Sequence, residues 1–162
     1  MLSTRPANIR RSASRLNLVS VRVHYAVASG LAAVYLVLLS AAAIARHQRL
    51  GSSAFDLGIF DQTIWGYSKL QVIDNTVKGY GNLLGDHFHP VLVLLAPAYW
   101  VWDGPEALLV AQPVLIGASS LLVFATARRT TPRLAFAIQL SYLLSWMLLN
   151  GVLFDFHEYS VG

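Results

Sequence analysis

Three long apolar runs constrain the fold of this chain more than any other feature. They cover residues 24–45, 106–127 and 134–153. At about 1.5 Å per residue, a helix of about 20 residues crosses the roughly 30 Å hydrocarbon core of a bilayer. Only 12% of the residues are charged, against about 25% in a globular domain. The sequence therefore predicts an all-α integral membrane protein with three transmembrane helices.

The acidic residues are segregated along the chain. Six of the eight lie between Asp56 and Glu106, and the other two are Asp155 and Glu158. None occurs in residues 1–55 or 107–154. We expect this pattern when all the acids, and any chemistry they perform, lie on one side of the membrane.

The arginines predict the orientation of the three runs. Five arginines lie in residues 1–23, a basic cytoplasmic tail that we expect to be disordered, and three more lie in the loop 128–133. Positive residues favour the cytoplasmic side, so an even number of crossings must separate these groups. Residues 46–105 and 154–162 are then extracytoplasmic. The net charge of +4 comes largely from these flanks, which gives no indication of nucleic-acid binding.

Two alternatives concern the first run and the chain's extent. A signal peptide is the rival interpretation of residues 24–45, but its apolar core would span only roughly 7–15 residues. Three helices make a thin bundle, so we expect a truncated part of a longer polytopic protein, or a subunit that needs further helices or subunits. The chain has no cysteine, which excludes disulfides and thiolate chemistry.

The first loop, residues 46–105, contains shorter apolar segments. Phe55, Ile59, Ile64 and Trp65 recur near helical spacing, which predicts an amphipathic helix over Ala54–Leu70 along the outer interface. Residues 71–84 read as turns, with a short strand as the alternative. Residues 90–102 are apolar but too short to cross, which predicts a re-entrant or interfacial segment with tryptophans at the headgroups.

A polar cluster precedes the segment that begins at Pro90. The motif D-H-F-H at residues 86–89 holds an acid and two histidines. Histidines at i and i+2 of an extended segment face the same way and could bind a metal or a phosphate. We predict a substrate-binding or metal role for these residues together with the acids and histidine of residues 154–162: Asp86, His87, His89, Asp155, His157 and Glu158. The zinc-protease pattern H-E-x-x-H fails, because Val161 occupies its fifth position.

Three motifs resemble those of a known family. They are F-D-L-G-I-F-D-Q at residues 55–62, N-L-L-G-D-H-F-H-P at residues 82–90, and L-F-D-F-H-E at residues 153–158. The chain resembles the N-terminal part of the DUF2079 family of predicted bacterial membrane proteins, which is similar in layout to the GT-C glycosyltransferases. That resemblance implies a multi-pass plasma-membrane protein that transfers a sugar from a polyprenyl-phosphate donor on the extracytoplasmic side of the membrane. It also implies a catalytic carboxylate in the first outer loop, for which Asp56 and Asp61 are the candidates.

The two candidate carboxylates cannot share one face of a regular helix. Five residues separate Asp56 and Asp61, so their side chains point about 140° apart. We expect one to be a general base and the other to cap the helix or pair with Arg46, Arg49 or Lys69. Lys69 is also a candidate for neutralising a lipid phosphate. The D-x-D signature of some GT-C enzymes is absent, which leaves any divalent metal undefined. The alternative function is a non-catalytic transporter or assembly subunit with a polar or cation-binding outer loop.

Overall fold

A computed structural model describes residues 7–52, 55–79, 81–86 and 89–156 of the chain. Three stretches are long and apolar enough to cross a membrane: Ser20–Gln48, Glu106–Thr130 and Ala135–Phe154. The predicted all-α membrane fold with three spans is therefore confirmed. The helices in chain order are α1 (Ala7–Gln48), α2 (Leu57–Ser68), α3 (Leu83–Asp86), a 3-10 helix (Pro90–Leu95), α4 (Ala98–Val101), α5 (Glu106–Thr130), α6 (Ala135–Leu143) and α7 (Trp146–Phe154).

The three spans pack side by side with alternating direction. At one end, the Arg128 Nη1 atom of α5 lies 3.4 Å from the Val21 carbonyl of α1. At the other end, the Arg46 Nη1 atom of α1 lies 3.2 Å from the Asp155 Oδ1 atom, directly after α7. Helix α5 is thus antiparallel to α1, and α6 with α7 runs parallel to α1. The ends that carry Asp155, Glu106 and the first loop lie together.

Small residues bring α1 and α5 close to each other. A Cβ atom added to Gly117 would lie 3.4 Å from the Ala32 carbonyl oxygen, and Ala28 and Ala32 are buried. Close backbone approach at small residues is typical of helix pairs in membranes. The Gln139 side chain of α6 donates from Nε2 to the Ala28 carbonyl at 3.0 Å, which adds a polar contact inside the bundle.

The first helix begins earlier than the sequence predicts. We expected residues 1–23 to form a disordered basic tail, but α1 starts at Ala7 and continues without interruption to Gln48. No Gly or Pro occurs between Ala7 and Ser29, and arginine, alanine and leucine are good helix formers. The apolar span supplies the nucleus, so each further turn adds hydrogen bonds at little cost.

The third span consists of two helices rather than one. Helix α6 ends at Leu143, and Ser145 has an extended backbone (φ −63°, ψ 133°) before α7 starts at Trp146. Serine is a favoured residue at this position before a helix. A side chain of α5 supports α7, because Gln112 donates from Nε2 to the Gly151 carbonyl at 3.3 Å. Gln112 precedes Pro113, which lies inside α5.

The first loop folds onto the end of the bundle around its own apolar core. That core joins α2, the 3-10 helix, α4 and the first turn of α5 through residues such as Ile64, Leu92, Tyr99 and Leu108. Helix α2 confirms most of the helix predicted over Ala54–Leu70. Its Ile59 and Ile64 side chains are buried by protein, not by lipid as we expected. Within the described parts of residues 71–84 there is no strand.

Candidate functional site

Helix α2 carries the polar side chains of the site on one edge. Gly66 allows the following segment to return close to the helix, because a Cβ atom there would lie 2.7 Å from the Ile73 Cγ1 atom. The returning segment is then fixed by a buried amide. Asn75 donates from Nδ2 to the Ile59 carbonyl at 2.8 Å and to the Thr63 Oγ1 atom at 3.1 Å.

An open groove of about 620 Å³ lies between α2, the returning segment and the start of α5. Gln62 lines it, accepts from the Thr76 backbone N–H at 2.8 Å and donates to the Thr76 Oγ1 atom at 2.9 Å. The groove is thus open to solvent, and hydrogen bonds join its α2 edge to the returning segment. Its lining residues are Gly58, Asp61, Gln62, Trp65, Ile73, Thr76, Val77, Asp103, Gly104 and Pro105.

Asp61 is the carboxylate that the fold places in this groove. It is half-buried and accepts a 2.7 Å hydrogen bond from the phenol of Tyr99, which is buried on α4. Burial raises the pKa of Asp61 above its ordinary value, and the negative charges of Glu106 and Asp103 raise it further. The Tyr99 hydrogen bond and the nearby His47 oppose this rise in pKa. Burial and the Asp61 charge also raise the pKa of Tyr99, so Tyr99 stays a neutral donor.

Asp103 organises the opposite wall of the groove. Its Oδ1 atom accepts from the Trp65 indole Nε1 at 2.8 Å, and its Oδ2 atom lies 3.7 Å from the Lys69 Nζ atom. The same ammonium lies 5.5 Å from the centre of the Trp65 ring. Lys69, which was predicted to neutralise a lipid phosphate, therefore lies next to the groove and contacts both the Asp103 carboxylate and the Trp65 ring.

Asp155 lies in the framework beside the site. Its side chain has no exposed surface and forms the ion pair with Arg46. The Arg46 guanidinium also lies 5.5 Å from the centre of the Phe154 ring. Phe156 follows, fully buried, and packs edge-on against Phe60 of α2 with ring centres 5.4 Å apart. The end of the third span is thereby attached both to α1 and to the helix that carries Asp61.

The remaining predicted site residues are placed as follows. Asp56 is half-buried at the N-cap of α2, and within the described chain its side chain makes no capping hydrogen bond. Asp86 ends α3 and His89 precedes the 3-10 helix. His87, His157 and Glu158 lie outside the described residues. Among the residues that are described, no three His, Asp or Glu side chains form a group that could hold a metal ion.

Comparison with known proteins places the chain in a family. The family described as "Predicted membrane protein (DUF2079)" matches residues 46–161, well over half of the chain. The chain belongs to the DUF2079 family. The resemblance of its motifs to the DUF2079 family is therefore confirmed. No curated protein and no solved structure matches it.

The sequence did not reveal every residue of the site in this DUF2079 protein. Tyr99, the hydrogen-bond donor to Asp61, is 38 positions away from it and lies in a segment that reads as purely apolar. Trp65 was assigned to an apolar stripe, yet its indole N–H binds Asp103 in the groove. One feature of the sequence could have indicated Asp103 and Glu106: both lie near the start of the second span, at the same end of the bundle as Asp61.

Proposed function

We propose that this DUF2079 chain belongs to an integral-membrane glycosyltransferase-like protein of the GT-C kind. It would transfer a sugar from a polyprenyl-phosphate carrier on the extracytoplasmic face of the plasma membrane, with Asp61 as the general base. The observation that carries the proposal is the Asp61 carboxylate, which is half-buried in an open groove and has a raised pKa. We assign the base to Asp61 rather than Asp56, because Asp61 faces the groove.

In the proposed reaction, an acceptor hydroxyl gives its proton to Asp61. The acceptor oxygen then bonds to the anomeric carbon of the sugar, and the bond from that carbon to the carrier's phosphate oxygen breaks. A base works best when its pKa lies near the working pH, and burial with two neighbouring carboxylates moves the pKa of Asp61 in that direction. Tyr99 holds the carboxylate in place.

The proposed orientation puts the N-terminus in the cytoplasm. Arg128, Arg129 and Arg133 cluster near one end of the bundle, and the described acids lie at the other end. The cysteine-free chain allows a direct test by single cysteines at exposed positions. Asp74→Cys should be labelled in intact cells by a membrane-impermeant maleimide, and Thr130→Cys only after lysis. Labelling of Thr130→Cys in intact cells would show that the proposed topology is inverted or that the number of crossings is wrong.

The rival proposal is a non-catalytic membrane protein, a transporter or assembly subunit. Its support is that Asp61 also joins two elements of the fold through Tyr99. Asp61→Asn separates the two proposals, because the amide oxygen can still accept from Tyr99 while the basic carboxylate is lost. We expect membranes with Asp61→Asn to contain normally folded protein and to have lost transfer of a radiolabelled sugar from a polyprenyl-phosphate donor.

The matched controls are Asp74→Asn, at an exposed acid that does not line the groove, and Asp56→Asn. We expect both to retain transfer. Loss of transfer with Asp56→Asn alone would move the base to Asp56. Full transfer with Asp61→Asn and Asp56→Asn would refute the general-base role, and failure of Asp61→Asn to fold would favour the structural role.

A further inference from the structure

The segment Pro90–Val101 has two faces of different character. Leu92, Leu95, Ala96 and Tyr99 are buried against α2 and α5. The residues between them, at three- and four-residue spacing, are exposed and apolar. Leu94 is 74% exposed and Val101 is 91% exposed. We call the exposed set the outer face; it consists of Val93, Leu94, Pro97, Trp100 and Val101.

The outer face exposes no polar side-chain atom that needs water. Its only side-chain donor is the Trp100 indole, and that Nε1 atom donates to the Ser68 carbonyl at 3.0 Å. Residues 90–102 contain no charged side chain. An indole whose donor is already satisfied can enter apolar surroundings without the cost of an unpaired polar group. A contiguous exposed apolar surface of this kind marks a binding face for membrane or protein.

The position of the outer face in the fold identifies lipid as its occupant. Val101 stands five residues before Glu106, where the second span begins, and α4 packs against α5. The segment therefore lies beside the first turns of that span. It is too short to cross the bilayer, because a span needs about 20 residues. We propose that the outer face lies in the lipid of the membrane interface and continues the lipid-facing surface of α5.

This lipid contact would set the depth of the candidate site relative to the membrane surface. Tyr99, on the buried face of the same segment, donates to Asp61. The groove is therefore tied by one hydrogen bond to an element that rests in the membrane, which holds Asp61 near the lipid headgroups. The lipid contact goes beyond the proposed function, since it holds whichever molecule the groove takes.

Collision measurements on spin labels test this proposal and do not require an assay of sugar transfer. The protein, reconstituted in liposomes of phosphatidylethanolamine and phosphatidylglycerol, carries one nitroxide at Leu94→Cys or Val101→Cys. Two matched positions calibrate the scale. Leu122→Cys reports lipid, because Leu122 is exposed in the middle of α5, and Asp74→Cys reports water. Oxygen partitions into lipid, whereas a polar nickel chelate stays in water.

We expect the ratio of oxygen to nickel collisions at Leu94→Cys and Val101→Cys to be several-fold higher than at Asp74→Cys and to approach that at Leu122→Cys. A ratio equal to that at Asp74→Cys would overturn the proposal in favour of water. Low collision with both reagents, on an immobile label, would overturn it in favour of a protein partner. Loss of sugar transfer in Asp61→Asn tests only the reaction, so the two proposals can fail separately.

Discussion

The ion pair between Arg46 and Asp155 leads to an asymmetric prediction for stability. Removing one partner of a buried pair costs about 3–5 kcal/mol, because the other charge is left stranded. The Asp155 side chain has no exposed surface, but the Arg46 side chain keeps 35% of its own. The pair is therefore partly hydrated, and we expect Arg46→Met to cost about 3 kcal/mol, the low end of this range. Asp155→Asn keeps an oxygen acceptor and leaves a cation that can reach water, so it should cost about 1 kcal/mol.

The decisive comparison combines the two substitutions. In the Arg46→Met background, Asp155→Asn removes a buried negative charge that has lost the Arg46 guanidinium and should raise the free energy of unfolding, although it lowers the same quantity in the native background. The measurement is tryptophan fluorescence during denaturant titration in dodecyl maltoside micelles. Arg49→Met, at an exposed neighbouring cation, is the control and should change stability by less than about 0.5 kcal/mol. Equal effects of both single variants, or a further loss in the double variant, would refute this reasoning.

Three further predictions concern the groove and the bundle. Asp61→Asn should stabilise the fold at neutral pH, because an aspartate with a raised pKa lowers the free energy of unfolding as the pH rises from the pKa of an unfolded aspartate to the raised pKa. Below the pKa of an unfolded aspartate this gain should vanish, which the same denaturant titration repeated at several pH values checks. Tyr99→Phe removes a hydrogen bond that lowers the pKa of Asp61, so the acidic limb of the pH–rate profile for sugar transfer should move to higher pH. Gly117→Val should lower the free energy of unfolding by about 1–3 kcal/mol, since its side chain would press on the Ala32 carbonyl; an unchanged unfolding midpoint would contradict the close approach of α1 and α5.

The spans were predictable because lipid imposes a simple rule on sequence. An apolar run of sufficient length must satisfy its backbone internally, so it becomes a helix whatever its neighbours are. The start of the second span at Glu106 follows from that rule and agrees with the structure. The break before Trp146 does not follow, because Ser145 is one of several isolated polar residues in the apolar run 134–153, and its extended backbone leaves no trace in hydropathy.

The candidate site was predictable only in part, because its contacts join distant positions. The acid-rich loop drew attention to the segment that contains Asp61, which lines the groove. The partners that define the chemistry of Asp61 are Tyr99, Asp103 and Glu106, which come from two later elements. Which acid meets which cation depends on how those elements pack. We expected one of the two acids to cap the helix or to pair with Arg46, Arg49 or Lys69. Arg46 forms its ion pair with Asp155, and Lys69 lies 3.7 Å from Asp103.

The separation between the two partners of the ion pair has a consequence for biosynthesis. Asp155 is 109 positions beyond Arg46 in the chain. At typical translation rates its codon is reached roughly 5–20 s after that of Arg46. The ion pair that attaches the end of α7 to α1 can therefore form only after the third span has been synthesised. The end of the bundle that carries Asp155 and the loop with Asp61 gains this contact after the pairing of α1 with α5 has become possible.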